Sequence, residues 1–145
     1  MSDPLYRKDL LRLAADAAGA GRLTQPDASA TAHNPACGDR VTVDVKMEDG
    51  RITALAHQTQ ACVLAQASAA ILGAEAPGLS PADIQALADK VAGMLQGGPV
   101  PAPPFSAFGV FDGVAGHKGR HVCVMLPFKA VLEALAVSET AKPGA

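Results

Sequence analysis

The segment His33-Asn34-Pro35-Ala36-Cys37-Gly38-Asp39 is a tight turn that carries a thiol and a carboxylate two residues apart. Gly38 lets the backbone curl back, which aims the Asp39 carboxylate at whatever the Cys37 sulfur holds. A cysteine on a rigid turn followed by Gly and Asp therefore suits metal ligation. Two further cysteines, Cys62 and Cys123, each fall where one structural element hands over to another. Small polarizable side chains also fill cores, and free cysteine is among the most buried residue types. Taken alone, the residues leave both ligation and plain packing open.

The whole chain narrows the choice. Its 145 residues are the size of one domain, with 49% hydrophobic and 18% charged residues, a globular composition. One Tyr, four Phe and no Trp leave a core built mostly from small aliphatic side chains. A formal net charge of −2 gives no general electrostatic case for nucleic acid or an anionic membrane as a partner. The N-terminus lacks the apolar run of a signal peptide, and no uninterrupted apolar stretch approaches the ~18 residues of a membrane span. Three cysteines cannot all pair within one chain, and a cytoplasmic location, expected here, would keep them reduced. Reduced thiols of that kind bind metals or react more readily than they cross-link.

The elements that must position these groups can be read in order. Asp3 caps a helix over residues 4–18, with Leu5, Leu10, Leu13 and Ala14 on one stripe. Residues 22–27 are a loop, and 28–33 are weakly strand-like. Val41, Val43, Val45 and Met47 alternate with polar residues as a half-buried strand does. Glu48-Asp49-Gly50 makes a hairpin turn into a return strand from Arg51 to about Thr59. Residues 61–72 read as a helix with Cys62 in its first turn, where the helix dipole favours a thiolate, and Gly73 begins the break after it. Ser80-Pro81-Ala82-Asp83 caps the next helix, followed by a proline-rich loop and a short helix over 105–114 carrying Phe108 and Phe111. Residues 116–121 form a basic loop, after which Cys123 opens the last helix, with Pro127 required in the first turn. Residues 1–136 are expected as a single domain and 137–145 as a mobile tail. The fold class is α+β: a small three-stranded antiparallel sheet with helices on one face and the thiols gathered at one end.

Asn34-Pro35-Ala36-Cys37-Gly38-Asp39, then Gln58-Thr59-Gln60-Ala61-Cys62 through Ser68, then His121-Val122-Cys123 together resemble the NifU/IscU/SufU family of iron–sulfur cluster assembly proteins. Leu5-Tyr6-Arg7 resembles that family's first helix, so the likeness spans about residues 4–136. The long interval between Cys62 and Cys123 is most similar to the SufU branch, and the chaperone-binding motif of the IscU branch is missing. The resemblance implies a SufE/NifU-like fold and a site of Cys37, Asp39, Cys62 and Cys123 around a zinc ion or a nascent [2Fe–2S] cluster. It implies Cys37 as acceptor of sulfur from a cysteine desulfurase, with apo iron–sulfur proteins as clients. The chain would then be a scaffold or sulfur-transfer partner and not a stand-alone enzyme. Lys118, Arg120 and His121 would offset part of the site's negative charge. Val122 stands where the family has His or Lys, His57 where it has an aromatic residue, and Thr59 where it has Gly. His57 is expected to pack on a strand face, and His33 and His117 to be solvated. A structural zinc-binding interaction module without sulfur transfer is the alternative function.

Overall fold

The computed structural model describes residues 8–34 and 38–141, the side chains of 139–141 apart. Cys37, Leu5, Tyr6 and the last residues, 142–145, lie outside the described residues. Helix α1 (Lys8–Asp16) buries Leu10 and Ala14, one turn apart, with Leu13 packed beside them. It stops at Asp16 and not at residue 18, because Ala17 takes a left-handed conformation (φ 49°).

Three strands follow: β1 (Ala28–Asn34), β2 (Asp39–Glu48) and β3 (Arg51–Gln60), antiparallel in the order β1-β2-β3. The β2–β3 hairpin closes through Asp49 and Gly50, both at positive φ (53° and 76°), the pairing that matches strand twist. Val41, Val43 and Val45 are essentially inaccessible and face the helices. Asp44, on the opposite face by alternation, is buried as well, because the segment after α1 closes over it. Arg22 reaches it with Nε (2.6 Å) and Nη2 (3.0 Å), and the Leu23 N–H and Ser29 hydroxyl also donate to it. Burial pushes this carboxyl up, but the donors together outweigh it and hold it below its ordinary value.

Helix α2 (Val63–Glu75) lies against β3, α1 and α4. It runs through Gly73, where the sequence suggests a break. The glycine is there for contact: a Cβ at Gly73 would sit 2.2 Å from the Ala18 carbonyl oxygen. Helix α3 (Pro81–Leu95) begins with a complete capping box between Ser80 and Asp83. A 3-10 helix (Ser106–Val114) inserts Phe108 and Phe111 into the core, the Phe108 ring 5.4 Å from that of Phe128.

Helix α4 (Lys118–Ala141) packs along β1 and β2 and departs from expectation at both ends. The basic segment is its first turn and not a loop, so Cys123 lies in the second turn and Pro127 in the interior. Pro127 lacks the N–H that would reach the Cys123 carbonyl. Beside that gap the buried Ser68 hydroxyl donates to the Val124 carbonyl at 2.7 Å, so α2 supplies a donor at the weakened turn. At the other end the helix runs on to Ala141, past residue 136, because Ser138 continues the buried face of Val131 and Leu135. Residues 118–138 are long and apolar enough to cross a membrane by composition alone, yet 56% of their apolar 18-residue window is buried within the fold, as in a core helix.

Candidate metal and thiol site

Strand register brings the first two groups of the site together. Arg40 pairs with Gln60, so Asp39 at the head of β2 faces the chain as it leaves β3 through Ala61 and Cys62. Cys62 is the N-cap residue of α2, one position before the first turn, and its N–H points at Asp39 Oδ2 across 3.5 Å. The packing of α4 on β1 and β2 then delivers Cys123, whose Sγ lies 3.9 Å from the same oxygen. One donor atom from each of Asp39, Cys62 and Cys123 falls within 4.8 Å of the others. Cys123 is buried, and Asp39 and Cys62 are half-buried. Beyond β1, Gly38 takes a positive φ of 74° and its N–H donates to the Asn34 carbonyl at 2.9 Å.

Burial, with neighbouring Cys62 and Asp39, pushes the Cys123 thiol up to about 12, against an opposing pull from the Arg120 guanidinium. The Cys123 thiol thus keeps its proton and donates it toward Asp39. A metal ion would replace that proton. The dimensions suit one: at a Zn–S distance of about 2.3 Å, tetrahedral ligand atoms stand roughly 3.8 Å apart. Small side-chain rotations would close the gap. Two thiols and one carboxylate are donors that zinc accepts, and cysteine thiolates are what iron–sulfur clusters use.

The remaining sequence candidates separate. Lys118 and Arg120, with Asn34, His117 and Val122, line a hollow of about 420 Å³ whose wall includes Cys123. His121 does not turn toward the thiols; its Nε2 donates to the Ala115 carbonyl at 3.1 Å, securing the turn before α4. His57 is 4% exposed, with Nε2 2.9 Å from the Ala18 carbonyl and Nδ1 3.0 Å from the Thr59 hydroxyl. It is a packing residue, and burial lowers its pKa. His33 and His117 are exposed. Asn34, not singled out in the sequence beyond its place in the turn motif, is buried at 8% exposure on the wall of the hollow.

Residues 5–117 match the NifU-like N terminal domain. This chain belongs to that family. It is 31% identical over 111 residues, 76% of this chain and 70% of the relative, to the iron-sulfur cluster assembly scaffold protein IscU of Streptococcus pyogenes serotype M1. A relative of the same name from Thermotoga maritima is 24% identical over 90% of this chain and 92% of its own length. Among solved structures, the N-terminal part of a nitrogen-fixing NifU-like protein from Brucella abortus superposes with a TM-score of 0.90. It is 35% identical and covers 97% of this chain and 98% of its own. A putative scaffold protein for the SUF system from Fervidobacterium islandicum shares the fold, with a TM-score of 0.84 at 19% identity over 93% of this chain and 99% of its own. The NifU-like match ends before Cys123, so the third thiol is located by the packing of α4 and not by that match.

Proposed function

We propose that this NifU-like domain is an iron–sulfur cluster assembly scaffold. A metal ion or nascent [2Fe–2S] cluster is held on Asp39, Cys62 and Cys123, with Cys37 as fourth ligand and acceptor of sulfur from a cysteine desulfurase. The observation that carries this is the convergence of three donor atoms from three elements within 4.8 Å. The curated relatives named as scaffolds support the same assignment. Asp39 is the hard donor in a soft set, so it is the ligand a partner displaces most readily. A freed Cys37 thiolate would attack the outer sulfur of a desulfurase persulfide. The S–S bond breaks, one sulfur atom moves to Cys37, and the desulfurase cysteine leaves as thiolate. Apo iron–sulfur proteins are the proposed recipients and the cytoplasm the proposed setting.

Elemental analysis of the purified protein, paired with a desulfurase assay, tests the proposal. A metal or cluster should be present in the wild type, and desulfurase stimulation should be lost in Cys37→Ala. Stimulation that survives alkylation of Cys37 would instead leave a structural zinc module. One tightly bound zinc favours sulfur transfer, and a coloured, reconstitutable cluster favours assembly on the protein itself.

A further inference from the structure

We propose that the hollow at the start of α4 is a subsite for a low-molecular-weight thiol bearing a carboxylate. The carboxylate would rest on Lys118, and the sulfur would reach the metal held by Asp39, Cys62 and Cys123. This rests on the metal-site assignment above and adds a ligand to it. At about 420 Å³ the hollow is within the size range of small-molecule sites.

Its two ends differ in chemistry. Cys123, itself buried, forms one wall, so the hollow lies against the donor set. Lys118 and His117 lie toward the exposed side, and Arg120 leans toward the Cys123 sulfur. Among the described residues no carboxylate lines it, although the chain as a whole carries a net charge of −2. The local sign therefore opposes the global one and selects an anion. A simple anion would use only the basic end. A thiol would use only the metal end, where a soft sulfur displaces the hard Asp39 carboxylate from a thiophilic ion. A compact molecule carrying both groups uses the whole hollow. Val122 on its rim is exposed and uncharged, and Lys118 is the exposed lysine of the lining.

Cobalt(II) substituted at the site, in buffer reduced by a phosphine, gives thiolate-to-metal absorption that reports on the ligand set without any assay of activity. The probes are glutathione, S-methylglutathione (its carboxylates without a thiol) and 2-mercaptoethanol (a thiol without a carboxylate). Glutathione should change the bands with a midpoint at least about tenfold below that of 2-mercaptoethanol, and S-methylglutathione should leave them unchanged. Lys118→Gln should raise the glutathione midpoint about tenfold while cobalt stoichiometry and the 2-mercaptoethanol midpoint stay put. Lys118→Arg should restore the preference. Equal midpoints for the two thiols, or a Lys118→Gln protein indistinguishable from wild type, overturn the subsite while leaving the metal site standing. Failure to take up cobalt before any thiol is added defeats the metal site, and the subsite with it.

Discussion

Asp39 faces two demands at once. It accepts from the Cys62 N–H and from the Cys123 sulfur, which ties the three groups together. On a loaded site the same carboxylate is the ligand that exchanges first. Asp39→Ala is therefore expected to slow transfer of a reconstituted cluster to an apo acceptor several-fold, because the exchangeable position has gone. Unchanged transfer kinetics, followed by absorbance, would count against a scaffold that releases through Asp39. His57 makes a separate prediction. Burial lowers its folded pKa below the ordinary 6.5, so the unfolded chain binds a proton first as pH falls. The stability that the neutral ring secures is complete above 6.5 and is lost as pH drops from there through the lower folded value. Denaturant midpoints should decline across that window in wild type and flatten in His57→Gln. A slope that persists in the variant would assign the effect to other groups.

Local elements write themselves into sequence; contacts between elements do not. The alternation of Val41, Val43 and Val45, the Asp49-Gly50 turn and the Ser80/Asp83 capping box are each complete within a few residues, and each was legible. Strand β1 was faint because its buried positions are Ala28, Ala32 and Asn34, two too small and one too polar to stand out as an apolar face. Gly73 and the start of α4 were misread for one reason: both are set by neighbours remote in sequence. A glycine normally weakens a helix, and alanine in its place gains about 1 kcal/mol from propensity. Here the Ala18 carbonyl would lie 2.2 Å from the new Cβ, and both partners are backbone or backbone-fixed. The steric cost exceeds the gain, so Gly73→Ala should lose roughly 3 kcal/mol net in urea unfolding. A stabilised variant would show that the Ala18–Gly19 segment after α1 can shift off α2 without penalty. Cys62 was legible as a thiol at an element boundary, whereas Cys123, expected to open the last helix, lies in its second turn. Their meeting with Asp39 depends on the β2–β3 register and on α4 crossing two strands, which no local pattern encodes.

At the scale of the whole molecule, the site joins the head of the sheet, the start of α2 and the second turn of α4, elements that otherwise meet largely through the apolar core. A metal bound there binds the folded chain far better than an unfolded one, whose ligands are far apart in sequence. Its effect on stability follows from occupancy: free metal at 100 to 1,000 times the dissociation constant adds about 2.7 to 4.1 kcal/mol. For a chain of this size that corresponds to a rise in Tm of about 10 °C. Removal of metal by a chelator should lower Tm by that amount, and zinc should restore it. Cys62→Ser should lose most of the zinc-dependent rise, while the unloaded protein keeps its own Tm within a few degrees, since Cys62 is half-buried and at the edge of the core. Calorimetry with and without chelator separates the two quantities. A Tm indifferent to zinc in the wild type would mean that Asp39, Cys62 and Cys123 meet by packing alone, with no ion drawing α4 onto the sheet.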